Sequence, residues 1–381
     1  MNSITKLDPK KVLVLSDSFK GSLNQKKIDD IFKNVIKENF PNVQVKSIPV
    51  SDGGEGTVKI LSKLLKGELV ETKTKDPLLR NKKSCFGIFE IDNKKTALIE
   101  MAEASGIEKI SKEERNPLKT SSFGTGELIK KAISKGAEKI ILTLGGSATN
   151  DGGMGMLEAL GMEFLDEFNR KLPGKGENLL KIKRISKDKL IDLSKISFEV
   201  LTDVKNPLLG KTGATFVFGN QKGGSLETLD YLERGMKNFS FLLENLYKKQ
   251  GYIEKEGAGA AGGIGFSSVI VFNCKIFSGA KRILELLNVE KEIKNSDLVI
   301  TGEGKLDKTT LNGKIPFEVI KLAEKNNVPV IIITGTKGEG YNEFFKFGVK
   351  EVISLEEIAG SIEGSLKEPE KYYKEAVLKL F

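Results

Sequence analysis

Residues Leu142–Gly155 read LTLGGSATNDGGMG. The apolar run KIILTL leads into them and the helical pattern MGMLEALG follows. A buried strand that dissolves into a small-residue loop and then a helix is the repeating unit of a parallel α/β sheet. Glycine and serine let backbone N–H groups come close to an anion, and the loop opens onto a helix N-terminus; both features suit phosphate. Asn150 and Asp151, in the middle, read as hydrogen-bonding and charge-handling groups rather than mere turn formers. A carboxylate repels phosphate unless a cation lies between them. The loop therefore points to Mg²⁺ and to nucleotide phosphoryl transfer.

Working outward, the same arrangement recurs. SDSFKGS (16–22), SDGGEG (51–56), TDVKNP (202–207) and TGEGKLD (301–307) each follow an apolar strand and each carry an acidic residue. Any one of them is an ordinary capped turn on its own. Nothing structural requires a carboxylate at every strand end, however, and ligands of open α/β sheets bind where such loops gather. The N-terminal block begins with the strand VLVLS, a helix from about Asn24 with Ile28, Ile31, Phe32, Val35 and Ile36 on one stripe, a second strand VQVKSIPV and the helix TVKILSKLL. The C-terminal block repeats the rhythm with DLVITGEG, GKIPFEVIKLAEKNN and VPVIIITGT. The two blocks are expected to form one doubly wound domain. The middle differs: SCFGIFEIDNKKTALIEMA reads as two strands around a turn at Asp92–Asn93, and LETLDYLERGMKNFSFLLENLYKKQ as a long amphipathic helix.

Composition narrows the chemistry. The 381 residues suggest two domains or three. A sequence with no histidine excludes Ser-His-Asp and Cys-His mechanisms and His-ligated metals, leaving carboxylate, lysine or tyrosine as general base and an oxygen-preferring metal. The net charge of +9 is carried by scattered lysines, with arginine only at 80, 115, 170, 184, 234 and 282, so it reads as a solvated surface and not a nucleic-acid face. No apolar run reaches the ~20 residues of a membrane span, and the N-terminus has no signal-peptide pattern. Cys85 and Cys274, far apart in sequence, fit a reducing cytoplasm.

Two motifs are decoys. Gly257, Gly259 and Gly262 match G-x-G-x-x-G, but the charged YIEKE precedes them where a dinucleotide fold needs a buried strand. Close backbone packing is the simpler reading, with a second phosphate- or substrate-contacting loop as its rival. The GKT at Gly210–Thr212 lacks the earlier glycine of a P-loop, since Lys205 stands there.

Taken together, DSFKGSL (17–23), PVSDGGEGT (49–57), IEMAEASG (99–106), SFGTGELI (122–129), GGSATNDGG (145–153), DVKNPL (203–208), GAGAAGG (257–263) and TGEGKLD (301–307) resemble the type-1 glycerate kinase family, in its order and over nearly the whole chain. The resemblance implies an ATP- and Mg²⁺-dependent kinase that phosphorylates a hydroxyl of D-glycerate, giving 2-phosphoglycerate or, in some members, the 3-phosphate. It also implies a discontinuous Rossmann-like parallel-sheet domain (1–76 and 290–381) with a second α/β domain (77–289) inserted, and an active site in the cleft between them. The partners are then small molecules, with no nucleic acid and no membrane, and a homodimer is kept open. The chain departs from the family at Lys205, Asn220 and Leu79, where Thr, Pro and Gly are common.

The site residues follow as expectations. Gly145, Gly146, Ser147 and Asn150 are assigned to the nucleotide phosphates. Asp203, after the strand FEVLT, is the candidate base that orients or accepts the hydroxyl proton. Lys20 either neutralises phosphoryl charge or holds the glycerate carboxylate, with Asp17 beside it as a further catalytic group. Asp52 and Asp307 are placed at the substrate, and Asp52, Glu303 and Asp307 at the metal; Asp17 competes for that role. Glu55 is read as a helix cap. Two rival readings are a kinase for another small hydroxy acid and a nicotinamide-dependent oxidoreductase using the glycine-rich loops.

Overall fold

The structure is a computed structural model that describes residues 8–19, 22–50, 54 and 56–380. The chain separates into two compact units, Met1–Asp52 with Ala280–Phe381, and Gly53–Gly279.

The first unit is built on a five-stranded sheet in the order Val349–Ser354, Val330–Lys337, Leu298–Leu306, Lys11–Ser16, Gln44–Ser47, and all its pairings are parallel. The three central strands carry near-continuous apolar runs because helices cover both faces, whereas the edge strands Gln44–Ser47 and Val349–Ser354 are interrupted by polar residues. The helix Gln25–Asn39 buries Ile28, Phe32, Val35 and Ile36 and starts at Asn24, whose side chain accepts from the Lys27 N–H. Gln25 is also buried; its amide donates to the Ser16 carbonyl at 2.7 Å and the Val50 carbonyl at 3.1 Å, tying two strand-end segments together. The strand order reverses between Lys11–Ser16 and Leu298–Leu306, so the crevice at their carboxyl ends is the topological switch point.

The second unit carries a six-stranded sheet in the order Lys275–Phe277, Ser197–Leu201, Lys139–Thr143, Lys94–Glu100, Asn81–Ile91, Glu68–Lys75. Its first four strands are parallel and its last two antiparallel. The expected turn is there: Asp92 and Asn93 take φ of 52° and 57°, the left-handed pair that a tight hairpin requires. The long helix is Leu226–Tyr247, capped by Ser225. Leu128, Ile140, Leu142, Leu157, Phe239 and Ile264 belong to a single apolar core.

The unit ends differ from the sequence boundaries at 76 and 290. Glu68–Lys75 pairs antiparallel with Asn81–Ile91 along its whole length, from Glu68↔Ile88 to Lys75↔Asn81. The helix Thr57–Leu64 lies directly on that sheet: a Cβ at Gly87 would come within 2.3 Å of Ser62 Oγ. Both elements therefore belong to the second unit, through pairings that no local composition change announces. Among the described residues, no helix is long and apolar enough to cross a membrane.

Candidate active site

In the second unit, strand Lys139–Thr143 ends beside Ser197–Leu201, and the Leu144 N–H donates to the Leu201 carbonyl at 3.0 Å. The two loops that follow are thus neighbours, and Val204 lines the same open pocket as Gly145, Gly146 and Ser147. Its volume is about 290 Å³, and Ile107, Leu144, Phe218, Gln221, Lys222 and Ala261 complete the wall. The loop after Lys139–Thr143 is anchored through one carbonyl and one amide: the Ile107 N–H donates to the Gly146 carbonyl, and the Ala148 N–H donates to the Ser105 carbonyl. The N–H groups of Gly145, Gly146 and Ser147 have no partner among the described residues. Successive unpaired amides at a strand end form an anion-binding concavity.

Asn150 and Asp151 lie deeper than the pocket wall. Both are fully buried. Asn150 Nδ2 donates to Thr215 Oγ1 at 3.2 Å, and its Oδ1 is buried with no partner among the described residues. Asp151 accepts from Ser122 N (2.8 Å), Ser122 Oγ (2.7 Å), Gly153 N (3.1 Å) and Gly155 N (3.2 Å). Burial pushes the Asp151 carboxyl above its usual range, and those four donors pull against it. Asp151 therefore fixes the loop to the Ser122 turn and to the start of helix Met154–Ala159.

The glycine-rich run 257–263 is a packing element, as the simpler reading expects. Gly262 has φ +66°, and a Cβ there would sit 2.1 Å from the Thr149 carbonyl and 2.7 Å from Asn150 Cα. Its own carbonyl accepts from the Gly152 N–H at 2.9 Å. The run thus forms the back support of the loop Gly145–Gly153, and Ala261 reaches the pocket.

Two groups that the sequence reading did not single out stand out here. Lys222 is 2 % exposed and lines the pocket from the short helical turn Asn220–Lys222. Its Nζ donates to Ser147 Oγ at 2.9 Å and to the Thr149 carbonyl at 2.6 Å. Burial brings its amine down to about 7, with the charge of Asp151 opposing. The available signal was a lysine between glycines in FGNQKGG. Glu100, at the end of its strand, accepts from the N–H groups of Gly56 and Val58 and so caps helix Thr57–Leu64. The expected cap Glu55 lies outside the described residues.

Asp203 follows strand Ser197–Leu201. Its Oδ1 accepts from Ser278 Oγ and Gly279 N, both at 3.0 Å, which fixes the carboxylate against the segment after Lys275–Phe277. The departure residue Lys205 is exposed.

In the first unit, Asp17 and Glu303 flank the switch point. The Asp17 N–H donates to the Gly302 carbonyl at 3.0 Å, and Asp17 Oδ1 accepts from the Ser18 N–H at 2.6 Å. Glu303 accepts from Thr310 Oγ1 and faces Lys314 Nζ at 3.2 Å. Burial raises its carboxyl, against the pull of those two donors. Asp307 caps the turn Lys308–Asn312, accepting from Thr309 N at 2.8 Å and Thr309 Oγ1 at 2.6 Å, with Lys305 3.5 Å away. The Thr309 hydroxyl holds it below the usual carboxylate range. Lys20 and Asp52 lie outside the described residues. Among those described, no three Cys, Asp or Glu side chains meet as a metal site.

The glycerate kinase family model matches residues 12–381. The chain belongs to the glycerate kinase family. It is 39 % identical over 95 % of both chains to a glycerate kinase of Haemophilus influenzae. It is 36 % identical to the glycerate 2-kinase of Escherichia coli, covering 94 % of this chain and 93 % of that one. A crystal structure provisionally named glycerate kinase 2 from Salmonella typhimurium LT2 superposes with a TM-score of 0.83 at 33 % identity, covering 98 % of each chain. The fold is therefore the mixed α/β fold of that family, the protein is a kinase, and the oxidoreductase reading falls away.

Proposed function

We propose that this kinase transfers the terminal phosphoryl group of ATP to the 2-hydroxyl of D-glycerate, giving 2-phosphoglycerate and ADP. The observation that carries the reading is the row of unpaired N–H groups at Gly145, Gly146 and Ser147, on the wall of a pocket large enough for phosphate groups, with the Asp203 loop on the adjacent strand end. Phosphoryl transfer needs position, neutralised charge and an oriented hydroxyl more than covalent chemistry. The amides supply the first two at the phosphate chain. Asp203, held by Ser278 and Gly279, orients the hydroxyl and accepts its proton as transfer proceeds. Asn150, buried behind the loop, acts by holding the loop's shape with Thr215. The name of the E. coli relative supports the 2-position over the 3-position.

Mg²⁺ keeps most of its waters and binds proteins through one or two carboxylates plus substrate phosphates. Glu303 and Asp307, each already accepting a threonine hydroxyl, fit a cation that arrives with its nucleotide better than a resident ion in an all-protein cage. With Asp52 they are the residues that would hold it. When bound, the metal supplies charge neutralisation on the phosphates. Lys20 and Asp17 are proposed to serve the transferring group and the glycerate carboxylate, with Asp52 and Asp307 on the substrate side. Two free, buried cysteines accord with a reducing, cytoplasmic setting.

The test is release of ADP from ATP and Mg²⁺ across a panel of small hydroxy acids. D-glycerate should be clearly preferred over lactate, glycolate and tartrate. Equal turnover of the panel, or none with D-glycerate, contradicts the proposal.

A further inference from the structure

The kinase reading uses backbone amides and carboxylates but leaves one buried cation unexplained. Lys222 is a lysine with almost no exposed surface, and among the described residues no carboxylate pairs with it directly. Its amine rests on one hydroxyl and one carbonyl, Ser147 Oγ and Thr149 O. Such a site is costly for an ammonium ion unless an anion completes it. Among the described residues, the rest of the pocket wall, including Ile107, Val204, Phe218, Gln221 and Ala261, carries no titratable group. The charge facing Lys222 from the loop behind it is Asp151, whose carboxylate is already taken up by Ser122, Gly153 and Gly155. On the other side the backbone of Arg115 abuts Gly223. Ser147, which accepts from Lys222, is itself on the pocket wall, so its own O–H is available to donate to whatever binds there.

We propose that Lys222 is the cationic anchor of the nucleotide's phosphate chain in this pocket, and that it takes up a proton when the phosphate binds. This deepens the kinase reading and rests on it. Without an anion the amine gains by shedding its proton. With phosphate over Gly145–Ser147, the charged form gains a partner and the proton returns. The proton comes from solvent, and no covalent bond changes.

The test is isothermal titration of Mg²⁺–ATP into the whole protein, in buffers of different ionisation enthalpy. An amine that titrates at about 7 is roughly nine-tenths neutral near pH 8 and one-tenth neutral near pH 6. The terminal phosphate, with its last pKa at about 6, is already ionised near pH 8. Binding should therefore take up about 0.9 proton near pH 8, about half near pH 7 and almost none near pH 6. The Lys222→Met variant should lose this uptake and bind Mg²⁺–ATP about 10- to 100-fold more weakly, the range for a hydrogen bond to a charged group. A lysine that merely props the loop would give no uptake, and uptake below about 0.2 proton near pH 8 by wild-type protein overturns the proposal even if the variant fails to fold. Proton uptake triggered by D-glycerate alone, and not by Mg²⁺–ATP, would assign the amine to the carboxylate and overturn it too. Glycerate-dependent ADP release, measured in parallel, separates the two layers. Release without proton uptake sinks the role of Lys222 alone, whereas loss of both nucleotide binding and release in wild type sinks the kinase reading as well.

Discussion

Replacing Lys222 by methionine should change how stability depends on pH, in the absence of any nucleotide. The ordinary lysine value is 10.5, and burial brings this one to about 7. Between those two values the unfolded chain holds a proton that the folded chain has released, so the stability of the wild type rises with pH across that window. The full interval corresponds to on the order of 5 kcal/mol, felt in full below about pH 7 and gone above about pH 10.5. Methionine has similar length and no charge, so it escapes this cost. It also strips the Thr149 carbonyl of its Lys222 donor, which costs about 1–3 kcal/mol at every pH. The variant should therefore be more stable than wild type near pH 6 by roughly 2–4 kcal/mol and less stable near pH 10.5 by about 1–3 kcal/mol, with the curves crossing between roughly pH 8 and 10. Urea unfolding followed by far-UV circular dichroism at several pH values measures this, and the transition that moves should be that of the unit Gly53–Gly279. A difference between the two proteins that stays constant from about pH 6 to 10 would refute the reasoning, because the amine would then keep its proton in the fold.

Three further outcomes follow from the geometry. Asp203→Asn keeps an oxygen for Ser278 and Gly279, so the fold should survive and nucleotide affinity stay within about threefold, while kcat falls about 10²- to 10⁴-fold; near-normal turnover would show that another carboxylate is the base. Gly262→Ala combines a left-handed backbone with a Cβ 2.1 Å from the Thr149 carbonyl, so it should cost about 2–4 kcal/mol and weaken nucleotide binding by displacing the loop; wild-type melting and affinity would count against the close packing. Leu79 has φ 64° in the turn closed by Asp76 and Arg80. Leu79→Gly and Leu79→Ala lose the same packing, so in urea unfolding the glycine variant should be the more stable by about 1 kcal/mol, the reverse of the order in ordinary backbone.

Much of this was legible in the residues because the signals are local. The strand–loop–helix units and the Asp92–Asn93 hairpin rest on patterns a few residues long, and each appears where the pattern puts it. The glycine run 257–263 could be set aside as a dinucleotide site because no strand precedes it, and Gly262 indeed packs against Thr149 and Asn150. What was not legible depends on distant pairing. Glu68–Lys75 joins the second sheet through a strand that comes after it, and its sequence ELVETKTK carries no mark of that choice. Glu100 caps a helix that starts over forty residues earlier. Lys222 reads as a surface lysine in QKGG, since its burial comes from contact with Ser147 and Thr149, more than seventy residues earlier. Asp151 looked like a group aimed at the nucleotide, but four donors turn it inward.

The most direct test of the central claim is the phosphorus NMR spectrum of the product formed from D-glycerate, ATP and Mg²⁺. A phosphate ester on the 2-hydroxyl has one proton on its carbon, so the account predicts a new resonance split into a doublet, appearing together with ADP. A triplet, which marks an ester on the CH₂ of the 3-hydroxyl, would contradict it, as would a spectrum in which ATP and D-glycerate remain unchanged.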